Sequence, residues 1–161
     1  FANPGAGNPK LYRVSTGHGG VMCEGCHGAT HAEWPNANPN ANDNVTANQL
    51  QGHSGTIIEC TVCHGNSMNN ENTLDGPHGM HPVGDNRWNH QHRNFTGGKN
   101  ANCKGCHGPD LTGTVLSVTS ADRVLDCKNN QGDFPDCAAG NATAFVPAGT
   151  EIGCGNCHKQ K

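Results

Sequence analysis

The sequence predicts one mostly irregular, coil-rich domain over 1–161, with short helices at four repeated motifs and one small β-hairpin. Its interior must be filled by something other than its own side chains. Three observations predict this. Hydrophobic residues make up only 32% of the 161, with four Phe, two Trp and one Tyr against 23 Gly, where globular chains average about 45–50% apolar. No helical or strand periodicity runs for long. Eight of the ten cysteines fall into four copies of Cys-x-x-Cys-His.

Composition alone describes a disordered chain; the motifs argue otherwise. "CEGCH" supplies Cys23, Cys26 and His27, and "CTVCH" supplies Cys60, Cys63 and His64. "CKGCH" supplies Cys103, Cys106 and His107, and "CGNCH" supplies Cys154, Cys157 and His158. This spacing is the attachment signature of c-type haem: two thiols form thioether bonds to the porphyrin, and the histidine binds its iron. Four copies imply four covalently bound haem c groups, whose apolar faces then form the core. Zinc knuckles and disulfide frameworks also use paired cysteines, but neither needs a histidine after every pair. Folding is therefore expected to depend on haem attachment.

The net charge is −3, before the haem propionates are added. No basic patch points to nucleic acid, and no stretch approaches the roughly 18 apolar residues of a membrane span. The sequence starts at Phe1 rather than Met, which reads as removal of a secretory signal. Haem attachment to this motif also takes place outside the cytoplasm, so an extracellular or cell-surface location is expected. Cys127 and Cys137, left over by the motifs, are then oxidised together. That disulfide closes "CKNNQGDFPDC", a loop for which the chain-entropy estimate is roughly 3 kcal/mol.

In chain order, residues 1–22 form a Gly/Pro-rich N-terminal arm, a candidate for subunit contact. "PNANPNANDNVTAN" (Pro35–Asn48) reads as a low-complexity surface loop. The motifs recur at intervals of 37, 43 and 51 residues, too irregular for a solenoid, and each is expected on a short turn of helix. "GTVLSVT" (Gly113–Thr119) alternates as a strand, with "ATAFVPAGTEIG" (Ala142–Gly153) as its partner. Asn44, Asn94 and Asn141 head Asn-x-Thr sequons, candidate glycan acceptors in a secreted chain.

Four irons need four further ligands, and seven histidines remain beyond the motifs: His18, His31, His53, His78, His81, His90 and His92. His18 and His53 sit in Gly-flanked approaches to Cys23 and Cys60. "GPHGMHPVGDNRWNHQH" packs in four more, of which His78 and His81 are one turn apart, so both could face a stacked haem pair. His53, His78 and His81 are the favoured distal ligands and His90 the least favoured; Met80 is an alternative axial ligand. His31 lies four residues beyond His27 and cannot readily cross to the other face of the haem its own segment holds. It is a surface residue, a ligand to another haem of this chain, or a ligand to a neighbour's haem. An iron with histidine on both sides passes electrons but offers no open position, which points to an electron carrier rather than an enzyme. A filament subunit, a monomeric periplasmic tetrahaem shuttle and a multihaem reductase are the three readings, and the histidine surplus disfavours the last.

The block "DGPHGMHPVG…W…H" (Asp75–His92), a following Cys-x-x-Cys-His-Gly with "LTGTVLSVTSADRVL" (Leu111–Leu125), and the terminal "VPAGTEIGCGNCHKQK" resemble the extracellular multihaem cytochromes of metal-reducing bacteria. In particular the chain resembles the tetrahaem OmcE-type nanowire cytochromes; "HGGVMCEGCHGATH" is also similar to the start of their hexahaem relatives. The resemblance implies bis-histidine haems in a continuous chain, with His92 matching the family's histidine four residues after Trp88 and His90 having no counterpart. It implies a head-to-tail polymer of identical subunits passing electrons to external redox partners. In that polymer a histidine near one subunit's N-terminus, His31 or His18 here, ligates a haem of the next.

Overall fold

The computed structural model describes residues 18–29, 38, 40–65, 76–96, 103–127 and 134–158. His31, most of the N-terminal arm and the centre of the Cys127–Cys137 loop lie outside them. In chain order the helices are α1 (Glu24–His27), α2 (Asn42–Gln51), α3 (Thr61–His64), α4 (Asn86–Thr96), α5 (Lys104–His107), α6 (Pro135–Ala138) and α7 (Cys154–Cys157). Two 3₁₀ turns, Pro77–Gly79 and Val115–Ser117, and two strands, β1 (Arg123–Asp126) and β2 (Thr143–Val146), complete the described elements.

Each Cys-x-x-Cys lies on a single helical turn; His27, His64 and His107 end theirs, and His158 follows α7 in an extended conformation. The histidine N–H donates to the carbonyl of the first cysteine, at 2.9 Å for His27, 3.0 Å for His64, 2.9 Å for His107 and 2.8 Å for His158. Residues three and four apart share one side of a helix, so both thiols and the imidazole belong to one turn. The first three turns end on Gly28, Gly65 and Gly108, all at positive φ, a conformation glycine adopts without steric cost.

Residues 42–48 are helical rather than the surface loop their composition suggests. The inward face of α2 is amide rather than apolar, so no hydrophobic period reveals it. Asn44 is fully buried and donates to the Asn38 carbonyl at 2.8 Å. Asn48 donates to the Ser54 hydroxyl, and Gln51 donates to the carbonyls of His53, Gly55 and Thr56 while accepting from the Ile58 N–H. Asn44, Asn48 and Gln51 lie at i, i+4 and i+7, one stripe of the helix, and they fasten the loop that leads into Cys60. Burial also removes Asn44 from the accessible sequons, whereas Asn94 and Asn141 are exposed.

The strand pair is half as expected: β2 falls within Ala142–Gly153, but its partner is β1 rather than Gly113–Thr119. Thr114 and Ser117 form a reciprocal cap that winds Val115–Ser117 into a 3₁₀ turn, and Val118 makes only an isolated bridge to Glu151. The antiparallel ladder is β1 with β2, with Val124 opposite Phe145 and Leu125 opposite Ala144. Its inner face joins Leu125, Ala144 and Val146 to Phe134 and Cys127, with Cys137, Ile152 and Cys157 packed alongside. Cys127 and Cys137 are joined by a disulfide, Cα to Cα 5.3 Å. This small cluster backs the fourth motif, because Cys157 packs into it and the Phe134 N–H donates to the Asn156 carbonyl at 3.2 Å.

Two further contacts position the motifs. Asp85 caps α4, accepting the Arg87 N–H at 2.8 Å, and Asn86 accepts the Asp126 N–H at 3.2 Å, docking α4 on β1. Glu59, one residue before the second motif, pairs with Arg123 of β1. Burial alone would raise the Glu59 carboxyl, but hydrogen bonds from Arg123 and His53, and their charge, more than offset it and hold the group below its ordinary value. A depressed folded-state pKa contributes stability that is complete above the unfolded value, about 4.3 for Glu, and is lost as pH falls through the folded value. Glu59→Gln is expected to cost about 1–3 kcal/mol near neutral pH, because Arg123 loses its charged partner. It should also flatten the acid limb of the stability curve. Thermal melts of both proteins across that limb check this; parallel curves would remove the ion pair as a source of acid sensitivity.

Candidate haem-binding centres

The four motif histidines each face one other histidine of the same chain. Ring centres are 6.1 Å apart for His27 and His78, and 5.8 Å for His64 and His18. They are 6.3 Å apart for His107 and His81, and 5.7 Å for His158 and His92. Two imidazoles on opposite sides of one metal ion, each with a metal–nitrogen bond of about 2.0–2.1 Å, hold their ring centres roughly 6 Å apart. The four separations fit that span, and four different elements supply the facing rings.

His18 lies in the turn before the first motif, where its carbonyl accepts the Val21 N–H at 2.9 Å. His78 occupies the 3₁₀ turn Pro77–Gly79 in a left-handed conformation, φ 57°, uncommon for a side-chain-bearing residue and a mark of a constrained site. The turn is closed by the Gly76 N–H donating to the Met80 carbonyl at 3.1 Å; a Cβ at Gly76 would collide with that carbonyl. His81 follows three residues on, and His92 sits on α4. His78 faces the first motif and His81 the third, so one short segment serves two motifs.

The surroundings suit metal-ligating imidazoles. Such a histidine commonly donates its second ring N–H to a carbonyl, which fixes the tautomer and leaves Nε2 for the metal. His107 Nδ1 lies 2.6 Å from the Ile152 carbonyl oxygen and His81 Nδ1 lies 3.0 Å from that of Pro82. His92 Nδ1 reaches the carbonyls of Trp88 and Asn89, both at 3.2 Å. Burial, reinforced by neighbouring His107 and His92, lowers the His81 pKa to about 4, so the ring is neutral, the form that binds metals. Burial also lowers that of His78, with His27 adding to the effect, and its Nδ1 is buried without a hydrogen-bond partner.

The remaining histidines are placed differently. His53 has both ring nitrogens engaged, Nδ1 2.9 Å from the Ser54 carbonyl oxygen and Nε2 2.9 Å from Glu59 Oε1. That arrangement leaves neither nitrogen for iron, although the sequence ranks His53 among the favoured ligands. His90 points Nε2 toward the Asp126 carboxylate, 3.8 Å away. Met80 contributes its backbone to the turn beside His78. Trp88, which ligand counting passes over, is buried between two of the facing histidines; its spacing of four residues from His92 is the only sequence signal for it.

The Cys127–Cys137 disulfide leaves the eight motif cysteines for the four candidate attachment sites. Burial pushes up the thiols of Cys26, Cys103, Cys106 and Cys157; Cys63 adds to the effect on Cys26 and Cys154 to that on Cys103. The first motif therefore lies beside the second, and the third beside the fourth. Backbone contacts tie the same pairs: the Ile57 N–H donates to the Cys26 carbonyl at 2.9 Å, and the Cys154 N–H to the Leu111 carbonyl at 2.8 Å. Next to Cys154, a Cβ on Gly153 would run into the Thr112 carbonyl, so this close approach requires glycine.

No protein-family profile, curated protein or solved structure matches the chain. Among the described residues, no helix is long and apolar enough to cross a membrane.

Proposed function

We propose that the protein carries electrons through four c-type haems, each attached by one Cys-x-x-Cys pair and held between two histidines. The facing of every motif histidine by one other histidine at 5.7–6.3 Å carries this reading. The pairs are His18 with His64, His78 with His27, His81 with His107 and His92 with His158. Haem supplies reversible one-electron chemistry at iron. The chain attaches and orients the groups, covers them, and keeps each iron six-coordinate, so the protein transfers electrons and is not an enzyme. Continuity supports conduction: the second motif lies beside the first, residues 76–81 lead from the first to the third, and the third lies beside the fourth.

The assembly proposed is the extracellular head-to-tail filament implied by the resemblance to OmcE-type cytochromes, delivering electrons to external acceptors. With His18 facing His64, the chain supplies two histidines for every iron, so contact between subunits is proposed without a haem ligand from the neighbour. A monomeric electron shuttle is the second reading, favoured by one observation: all four histidine pairs lie within a single chain. Negative-stain microscopy of the purified haem-loaded protein decides between them. Thin filaments are expected for the wild type; uniform particles of one chain's mass leave the shuttle.

A further inference from the structure

One of the four facing pairs differs from the others in how its rings are turned. The planes of His18 and His64, of His27 and His78, and of His92 and His158 cross at 62°, 62° and 72°. Those of His81 and His107 are nearly parallel, at 8°. A neighbouring indole is the cause. Trp88 is 8% exposed and stacks flat on His81, ring centres 4.3 Å apart and planes 8° apart. An imidazole held against the face of a buried indole cannot turn its plane without losing that stack. The Nδ1 contact to the Pro82 carbonyl blocks the same rotation.

Trp88 also reaches the next pair. Its ring lies 6.0 Å from His92, tilted 38°, and its own carbonyl accepts from His92 Nδ1. Rings from His107, His81, Trp88, His92 and His158 thus follow one another from the third motif to the fourth. Asp85, which caps α4, and the Asn86 contact to β1 hold the helix that carries Trp88 in place.

We infer that Trp88 is a positioning residue that locks His81 parallel to His107, giving the haem on Cys103 and Cys106 an axial geometry unlike the other three. The inference rests on the haem reading proposed above. The relative orientation of two axial imidazoles sets the splitting of the iron d orbitals. Second-shell contacts that fix ligand orientation are therefore a lever on a haem's electronic state. Parallel planes give a rhombic low-spin ferric spectrum, and crossed planes a highly anisotropic one.

Electron paramagnetic resonance of the oxidised, haem-loaded protein reads this directly. The wild type is expected to show one rhombic signal carrying about a quarter of the spin intensity, with three anisotropic signals, one haem per motif. Trp88→Leu should lose the rhombic signal while the signals from the first two motifs stay in place. Trp88→Phe, which keeps a flat face against His81, should retain it. Four anisotropic signals in the wild type would overturn the inference without any variant. So would a rhombic signal that survives Trp88→Leu, or one that changes together with all the others, as general loosening would produce. A protein without low-spin c-type haem in its optical spectrum sinks the haem reading itself, and is told apart from a failure of Trp88's role by that spectrum.

Discussion

Alanine at His18, His78, His81 or His92, one at a time, is expected to leave four attached haems but convert one of them from six-coordinate low-spin to five-coordinate high-spin. Attachment persists because the thioether bonds and the motif histidine belong to a different part of the chain from the distal ring. The spin change follows from losing an axial ligand that no neighbouring side chain replaces. The optical and paramagnetic spectra should each report about a quarter of the haem as high-spin, one site of the four. His53→Ala and His90→Ala serve as the contrast. His53 has both ring nitrogens occupied and His90 faces Asp126, so both variants should remain wholly low-spin. A high-spin haem in His53→Ala, or none in His78→Ala, would refute the ligand assignment while leaving the attachment sites untouched.

The chain made without haem, by replacing the motif cysteines with serine, is expected to be unfolded over most of its length. Ordering a residue's backbone costs about 1–2 kcal/mol, and burial of apolar side chains must offset that. Among the described residues, only Ala47, Trp88, Leu125, Cys127, Phe134, Ala144 and Val146 are buried hydrophobics. Five of these belong to the one cluster behind the β1–β2 pair. The described residues among 18–96 have almost no apolar interior of their own, only Ala47 and Trp88 being buried hydrophobics. Circular dichroism should show little ordered structure. Hydrogen exchange should find whatever protection remains confined to the disulfide-closed segment around Leu125 and Val146. A cooperative melt with native-like dichroism from the haem-free chain would refute the view that haem is the core.

How much of this was legible in the sequence depends on the range of the interactions. The proposed attachment sites are local: three residues within five positions, so Cys23, Cys26 and His27 and their three counterparts are singled out without a fold. The distal pairing is long-range, since His81 and His107 are brought together by turns and caps whose geometry no spacing encodes. Counting could establish a surplus of histidines but not that His53 is diverted to Glu59. The helix Asn42–Gln51 was hidden because its inward stripe is Asn44, Asn48 and Gln51, residues that usually mark loops. The expected strand at Gly113–Thr119 gave way to a turn because Thr114 and Ser117 cap each other locally. The ladder formed at Arg123–Asp126, where alternation spans only four residues.

The histidine pairs divide the chain at a single point. Everything that faces the first two motifs lies at or before His78, and everything that faces the last two lies at or after His81. On the proposed haem reading, the protein is thus two two-haem halves in tandem, joined by Gly79 and Met80 and bridged by the Glu59–Arg123 ion pair. A unit of that kind can be copied. Adding another half at either end would lengthen the conductor by two haems without moving a ligand from the iron it serves, and a chain could grow by duplication while staying functional at every step.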